Sequence, residues 1–354
     1  MRLEQTGSRG PFGGSSPPMI FSTDLDVEAW HHFVYHHPLG NIHQSPQLHR
    51  VYQQTKNYEP RVLGMLDEKT GEIRALVAGV SIREDLSILS SLSRRMIVFG
   101  GPLVSPDLDE GAISDLLASF DGLNRRSCIF CEVRNLCDMS AVLHFPDWYR
   151  FVGHLNYLID LNQPGDAIWN RIHKGRRHNI RRAEKEGVTV EEIHDPEQLP
   201  VFYHLLEETY RNAHVPLPDI SLFSSAFTHL VPDGLAKFYL AGHQGKYIGG
   251  RAVLLYRKTI FDWYAGSAQD ASALYPNDYL VWHVLRWGKE HGYGTFDFGG
   301  AGHPDRPYGP REFKRRFGGE LVNYGRNIHV YSPVRMKMAE VGLQLYQSFF
   351  HRFF

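Results

Sequence analysis

Cysteine is scarce in this sequence, with three among 354 residues: Cys128, Cys131 and Cys137. The first two have the Cys-x-x-Cys spacing that redox motifs and zinc sites use. No second pair follows, and the two lie in a segment with the pattern of a strand, where residues three apart point to opposite faces. We therefore interpret the cysteines as small core residues of a protein that folds in a reducing compartment.

Long apolar runs and an excess of charge are also missing. No run approaches the ~20 apolar residues that span a bilayer, and no signal-peptide core occurs near the N-terminus. We therefore expect a soluble, cytoplasmic protein without a transmembrane segment. The net charge is -1, which argues against a protein that coats nucleic acid through its overall charge. Any anion must be bound by a local patch.

Metal and nucleophile motifs are absent as well. The 20 histidines include an i, i+4 pairing within the cluster His31, His32, His36 and His37. No acidic ligand or third histidine has the spacing of a metal motif, and no His-Glu-x-x-His, Gly-x-Ser-x-Gly or P-loop pattern occurs. We expect no metal site, and we interpret the histidine cluster as surface.

The length and the order of elements predict two domains. Residues 1–18, rich in glycine, serine and proline, are predicted to be a disordered tail. The first domain is expected over residues 19–162 and the second over 163–331, with a C-terminal helix over 332–354 that packs on the first domain. Both halves present helices followed by a run of strands. This order indicates an α/β (α+β) fold of mixed, mostly antiparallel sheets flanked by helices.

The most informative pattern lies near the C-terminal end. A short apolar strand ends at Gly299 and Gly300, a pair that lets the backbone approach a ligand closely. A loop and a short helix follow, in which Phe313 and Phe317 are four residues apart and share a face. Lys314 points elsewhere. It is either a cation at a solvated helix end, where it offsets the dipole, or a cation that meets an anionic ligand.

A basic segment over residues 166–186 is predicted to be a helix capped by its first residue, and Gly175 can split it. Arg176 falls within the apolar stripe, so we expect it to have a carboxylate or a ligand as partner. Arg177 and Arg181 lie among cations on the opposite side. This face is either solvated, as charge runs usually are, or a platform for phosphate groups.

Together these segments resemble the FemABX-like proteins, the peptidoglycan-bridge aminoacyltransferases and their relatives in the GNAT superfamily. The resemblance depends on the order strand, Asp-Phe-Gly-Gly, loop, Phe-Lys-Arg-x-Phe-Gly-Gly, and on the basic helix that opens the second domain. It covers about residues 41–326 and is strongest from Asp262 onward. It implies tandem GNAT-like N-acyltransferase domains, of which the second carries the catalytic signature.

The resemblance also implies where the chemistry takes place. In that family the lysine of the Phe-Lys pair handles the acylated end of the donor, which points to Lys314 and Phe313 as catalytic residues. Asp297 is the third catalytic candidate: it orients or deprotonates the amine, or it caps the glycine loop. The implied substrate-binding residues, with the arginines on phosphate groups, are Arg177, Arg181, Arg211, Tyr264, Ser267, Asn277, Gly299 and Gly300.

Two departures from the family pattern bear on the substrates. Acetyl-CoA users of the GNAT type have a glycine-rich turn before their long helix, where backbone N–H groups hold the pyrophosphate. Here the turn before Asp278 has no glycine. The bridge-forming enzymes have Trp and Lys after a Gln-Ser motif, whereas Leu48 and Tyr52 occupy those places here. Neither CoA nor a peptidoglycan acceptor is therefore fixed by the sequence.

We expect this chain to transfer an acyl or aminoacyl group to an amine of a cell-envelope precursor. The donor is aminoacyl-tRNA or acyl-CoA, with no resident cofactor. The expected partners are a small, lipid-linked or nucleotide-linked acceptor and the acceptor end of tRNA, and the sequence leaves the oligomeric state open. One alternative is an acyl-CoA-dependent N-acyltransferase that acts on an amino sugar or polysaccharide precursor. Another is a non-catalytic binding protein of the same fold.

Overall fold

The computed structural model describes residues 18–83 and 94–338. The strands in chain order are β1 (Met19–Ser22), β2 (Tyr58–Asp67), β3 (Ile73–Ile82), β4 (Arg95–Phe99), β5 (Leu103–Val104), β6 (Phe130–Arg134), β7 (Arg150–Val152), β8 (Asn156–Asp160), β9 (Thr189–Glu192), β10 (Ala236–His243), β11 (Lys246–Tyr256), β12 (Thr259–Ser267), β13 (Thr295–Asp297), β14 (Glu320–Val322) and β15 (Arg326–Val330). The helices are α1 (Val27–His36), α2 (Pro46–Gln53), α3 (Glu110–Asn124), α4 (Gly165–Arg171), α5 (Lys174–Lys185), α6 (Leu199–Asn212), α7 (Ser221–Leu230), α8 (Pro276–Glu290) and α9 (Gly309–Arg315).

The chain divides into two compact units. Among the described residues, the first takes in 18–53, 57–83, 94–152 and 325–338, and the second takes in 54–56 and 153–324. Each unit has its own sheet and its own buried hydrophobic cluster. The predicted fold class is therefore confirmed: each half is a mixed, mostly antiparallel sheet flanked by helices.

The sheet of the first unit has the order β1-β2-β3-β4-β6-β15-β7, and β5 pairs with β3. Strand β3 lies between β2 and β4 and is buried along almost its whole length, as its mostly apolar sequence, interrupted by Arg74 and Ser81, indicates. Helix α2 begins at Pro46, and the Ser45 hydroxyl accepts a hydrogen bond from the Leu48 N–H at 3.2 Å, as an N-cap residue does. Cys128 and Cys131 are buried and unbonded to each other, which confirms them as core residues.

The sheet of the second unit has the order β14-β8-β13-β12-β11-β10-β9. Strands β12 and β13 pair in parallel over three residues, and the other pairings in this sheet are antiparallel. The strand β13 ends at Asp297, whereas β12 continues to Ser267. The loop that follows β13 therefore lies beside the second half of β12, and this is where the candidate site is found.

The structure corrects the predicted domain boundaries, because two segments near them each contain strands of both sheets. The segment 148–161 contains two strands, β7 and β8, and the segment 321–331 contains β14 and β15. In each case one strand joins the first sheet and the other joins the second. The boundary near residue 162 was therefore too late, since the main segment of the second unit begins at Gly153. The second unit also ends at Tyr324 rather than at residue 331, because β15 pairs with β6 and β7.

The basic segment over 166–186 is two helices rather than one. The break lies between α4 and α5, where the His173 side chain accepts a hydrogen bond from the Gly175 N–H at 3.2 Å and so caps α5. Asp166 does not cap α4, since the N-cap position belongs to Pro164. The segment ends near residue 186 as predicted, and Gly187 follows with a φ of 81°, a left-handed conformation that glycine adopts without strain.

Several other outcomes concern the ends and surfaces of the chain. His37 is buried, and its ring accepts a hydrogen bond from the Leu39 N–H, so the histidine cluster is not entirely on the surface. Helix α7 was not predicted. The disordered tail predicted over residues 1–18 lies outside the described residues apart from Pro18, as does most of the C-terminal helix, of which residues 333–338 are helical. Within the part of the chain that the structure describes, no helix combines the length and apolarity needed to cross a bilayer.

Candidate active site

The loop after β13 is shaped by two glycines in conformations that other residues rarely adopt. Gly299 has a φ of 75° and Gly300 a φ of 127°. A Cβ atom on Gly299 would lie 3.0 Å from the Asp262 backbone oxygen in β12, so the loop passes close to that strand. Gly299 is exposed to solvent. The loop is therefore both tightly held and accessible to a ligand.

Lys314 reaches this loop from α9. Its ammonium donates hydrogen bonds to the backbone oxygens of Phe298 and Gly300, both at 2.6 Å. The helix is anchored by Phe317, which is 1% exposed, and the Phe313 and Phe317 ring centroids are 5.2 Å apart. The predicted shared face is thus confirmed, and Lys314 points inward to the loop rather than out to solvent.

The ammonium group of Lys314 is partly desolvated. Burial lowers the pKa of its ammonium, and the carboxylates of Asp262 and Asp297 oppose that effect. Two of its three N–H groups are used by backbone oxygens. One N–H is left for another acceptor.

Asp297 and Asn156 hold the glycine loop through side-chain hydrogen bonds. The Asp297 Oδ1 accepts hydrogen bonds from the Asn156 amide at 2.6 Å and from the Gly299 N–H at 2.7 Å. The Asn156 Oδ1 accepts one from the Gly300 N–H at 2.9 Å. Burial raises the pKa of Asp297, and these hydrogen bonds oppose the rise. Since both glycine N–H groups are taken, neither is available to a developing oxyanion.

A buried ion pair beside Lys314 was missed by the sequence reasoning. Arg251 in β11 is 2% exposed and pairs with Asp262 in β12. The side chain of Asp262 is 11% exposed, so it is the more accessible partner. An arginine inside an otherwise apolar strand is a signal that could have been used, because such a cation requires a buried partner. The sequence could not show which carboxylate that partner is.

Arg176 has the carboxylate partner that the sequence predicted. Its Nη1 donates to both oxygens of Asp278, each at 3.0 Å, and its guanidinium lies 4.4 Å from the centroid of the Phe313 ring. Burial raises the pKa of Asp278, and Arg176 opposes that rise. This arginine therefore connects α5, α8 and the helix that carries Lys314.

The predicted residues at the end of β12 form a second group. The Ser267 hydroxyl accepts a hydrogen bond from the Asn277 amide at 2.9 Å, at the start of α8. The Thr209 hydroxyl accepts a hydrogen bond from the Ser267 N–H at 2.8 Å. The Tyr264 ring packs edge-on against Phe223, with centroids 5.0 Å apart. These contacts fix the end of β12 beside the first turn of α8.

The three arginines predicted to bind phosphate lie on α5 and α6. Arg177 donates to the Asn170 side chain at 3.3 Å, and the Arg181 guanidinium lies 5.3 Å from the centroid of the Trp169 ring. Arg211 is exposed near the end of α6. Among residues 18–83 and 94–338, no direct contact joins any of the three to Lys314 or the glycine loop. In the same ranges, no group of three or more His, Cys, Asp or Glu side chains is arranged to hold a metal ion.

The comparisons with known proteins agree with this architecture. Residues 173–315 match the family model of an acetyltransferase (GNAT) domain, and this range contains the glycine loop and Lys314. A comparison with curated protein sequences found no match.

Solved structures show the same fold at low sequence identity. FemX is 16% identical, with a TM-score of 0.65, and the alignment covers 87% of this chain and 96% of FemX. The C-terminal domain of a protein assigned as a lysylphosphatidylglycerol synthetase from Agrobacterium fabrum is 17% identical, with a TM-score of 0.53 and coverage of 90% and 96%. A tandem GNAT protein from the clavulanic acid biosynthesis pathway is 13% identical, with a TM-score of 0.53 and coverage of 89% and 99%.

Proposed function

We propose that this chain, a FemABX-like protein of the GNAT superfamily, transfers an acyl or aminoacyl group from an activated carbonyl donor to an amine of a cell-envelope precursor. The observation that carries the proposal is the Lys314 ammonium, held between the Phe298 and Gly300 carbonyls beside an accessible glycine loop. The names of two fold neighbours, FemX and a lysylphosphatidylglycerol synthetase, support an aminoacyl group and an envelope acceptor.

The reaction needs a neutral amine, a held ester or thioester, and stabilisation of an oxyanion. The amine nitrogen attacks the donor carbonyl carbon, and a tetrahedral oxyanion forms. The carbon–oxygen or carbon–sulfur bond then breaks, and the proton lost by the amine ends on the leaving alkoxide or thiolate. We assign stabilisation of the oxyanion to the Lys314 ammonium, because the N–H groups of Gly299 and Gly300 already donate hydrogen bonds within the protein.

The neighbouring acids take separate roles in this scheme. Asp297 is a positioning residue, since it fixes the loop whose carbonyls hold Lys314. Asp262 is more exposed than Asp297, and its charge interacts with that of Lys314. We therefore assign Asp262 to contact the incoming amine. Phe313 stacks under Arg176 and keeps α9 in place. Positioning of this kind lowers the activation barrier by on the order of several kcal/mol, as in intramolecular reactions.

The binding of the two substrates is assigned to the remaining predicted residues. Arg177, Arg181 and Arg211 would contact phosphates of the donor or acceptor, while Tyr264, Ser267 and Asn277 line the strand end where the acyl group enters. The donor is aminoacyl-tRNA or acyl-CoA. The match of residues 173–315 to an acetyltransferase domain favours acyl-CoA. With acyl-CoA as the donor, the acceptor would be an amino sugar or polysaccharide precursor.

The two donors are separated by a transfer assay with the full chain. Aminoacyl-tRNA and acetyl-CoA are each offered with UDP-linked amino sugars, and the acylated product is measured by mass spectrometry. Product from one donor, lost when Lys314 is replaced by methionine, supports the proposal and names the donor. Binding of donor and acceptor without any product would instead make the chain a non-catalytic member of the fold.

A further inference from the structure

The last turn of α6 is held against the second half of β12, the part of that strand that lies beside the glycine loop. The Thr209 hydroxyl accepts a hydrogen bond from the Ser267 N–H at 2.8 Å and donates one to the Ser267 backbone oxygen at 3.2 Å. One residue earlier in β12, a Cβ atom on Gly266 would lie 2.4 Å from the Leu205 backbone oxygen. The absence of a side chain at Gly266 therefore lets α6 lie directly on the strand.

Tyr210 lies in this turn and presents a hydroxyl that the protein does not use. The side chain is partly buried, and its ring centroid lies 5.9 Å from that of Tyr264 in β12. Among the residues that the structure describes, the Tyr210 hydroxyl has no hydrogen-bond partner. By contrast, the Tyr203 hydroxyl on the same helix donates to the Pro218 backbone oxygen at 3.0 Å. Since polar groups withdrawn from water usually have a partner, the Tyr210 hydroxyl is suited to bind a ligand.

The charges that act on Tyr210 lie where β12 and β13 separate. The parallel pairing of these strands ends at Phe261 and Asp297, so Asp262 is the first residue of β12 beyond it. Burial raises the pKa of Tyr210, the Asp262 carboxylate adds to the rise, and the Arg251 guanidinium opposes it. The hydroxyl is therefore close to the buried ion pair at the opening between the two strands.

Lys314 and the loop after β13 approach the same ion pair. Burial lowers the pKa of the Lys314 ammonium, and both members of the ion pair act on it as well. Tyr308, which follows the glycine loop, adds to the rise in the pKa of Tyr210. This loop residue packs on Gly302, where a Cβ atom would lie 2.8 Å from the Tyr308 Cγ. One charged donor from α9 and one neutral donor from α6 are thus brought to a single ion pair beside the glycine loop.

We propose that Tyr210 is a further catalytic residue, whose hydroxyl donates a hydrogen bond to the acyl carbonyl oxygen as that oxygen becomes the oxyanion. The inference rests on the proposed function. The hydroxyl keeps its proton throughout, so the proton lost by the amine still ends on the leaving alkoxide or thiolate. A tyrosine whose pKa lies above its usual value remains a neutral donor over the physiological range. The oxyanion would then have two donors, Tyr210 and the Lys314 ammonium.

The test is Tyr210→Phe in the full chain, which removes the hydroxyl and keeps the ring that packs on Tyr264. Because the hydroxyl bonds to no described residue, the thermal midpoint should stay unchanged. Steady-state transfer is measured with acetyl-CoA and with aminoacyl-tRNA as donors and UDP-linked amino sugars as acceptors. We expect kcat to fall by about 100-fold and the donor KM to change by less than about twofold, since the oxyanion forms only in the transition state.

The matched control is Tyr203→Phe, about two turns earlier on the same helix. It loses a hydrogen bond to the protein, so its thermal midpoint should fall while kcat stays within about twofold. An unchanged kcat in Tyr210→Phe, or a raised KM at constant kcat, overturns the role of Tyr210 and leaves the transfer reaction standing. Equal losses of kcat in the two variants overturn it too, since a disturbed α6 would then be the cause. If the parent chain forms no product from either donor, the proposed function fails and the role of Tyr210 fails with it.

Discussion

Removing Arg176 should destabilise the second unit strongly, and the effect should depend on pH. In Arg176→Met the carboxylate of Asp278, which is 5% exposed in its side chain, loses both of its 3.0 Å hydrogen bonds. Breaking a buried pair by removing one partner costs about 3–5 kcal/mol. The lost stacking on Phe313 contributes to the same total and is about 1–2 kcal/mol when desolvated. We therefore expect the free energy of unfolding to fall by about 3–5 kcal/mol at neutral pH.

The sign of the pH dependence follows from the pKa of Asp278. Burial holds this pKa above its usual value, and the loss of Arg176 raises it further. An acid whose pKa is raised in the folded state stabilises the fold while it is protonated, and this contribution is lost as the pH rises through the raised pKa. The destabilisation of Arg176→Met should therefore shrink as the pH falls from neutral toward the usual range of an aspartate.

Urea denaturation followed by tryptophan fluorescence measures this effect at neutral and acidic pH. The double variant Arg176→Met with Asp278→Asn removes both charges and should recover at least half of the lost stability at neutral pH. Arg182→Met, an exposed arginine of the same helix paired with Glu186, is the control and should change stability by less than about 1 kcal/mol. A loss in Arg176→Met that is constant with pH would refute the reasoning, since the unpaired carboxylate would not then be its cause.

Three further predictions concern the loop and its support. Gly299→Ala places a side chain at a φ of 75° and should cost roughly 1–2 kcal/mol, seen as a lower thermal midpoint. Asp297→Asn loosens the loop without removing a group that touches substrate, so kcat should fall by up to about 100-fold with KM little changed in steady-state assays. Phe317→Ala empties a fully buried site and should cost about 3–5 kcal/mol in urea denaturation.

Each of these predictions has a contradicting result. Gly187 also has a positive φ, with open space around it, so Gly187→Ala isolates the backbone strain from the contact that Gly299→Ala makes with β12. Equal losses in the two variants would show that this contact is unimportant. A rise in KM with unchanged kcat in Asp297→Asn would instead make the acid a ground-state binding group. A Phe317→Ala variant as stable as the parent would mean that α9 is not anchored there.

Local periodicity was sufficient to predict the pieces of the site that depend on one helix. Phe313 and Phe317 share a face as their spacing of four requires, whereas the hydrogen bond of Lys314 to the loop was not predicted. The need of Arg176 for a carboxylate was also visible, because its position in an apolar stripe is incompatible with a lone cation. Such features are decided within a few turns of chain.

Features decided by long-range pairing were not accessible in the same way. The ion pair of Arg251 with Asp262 depends on the register of two strands, which shifts at Ala252 and Val253. The division of the segment 321–331 depends on Gly325, whose φ of 65° turns the chain between two strands of different sheets. A single sequence shows apolar strands in both places but not the sheet to which each belongs.

The most direct test of the central claim is the ratio of kcat/KM between two neighbouring variants, Lys314→Met and Arg316→Met. Both lose a cation from the same end of α9, but Lys314 binds the loop carbonyls whereas Arg316 binds Glu312 on the surface. We expect kcat/KM to fall by about 100-fold or more in Lys314→Met, as on removal of an oxyanion donor, and to change within about twofold in Arg316→Met. Equal activity in the two variants, with both folded, would contradict it.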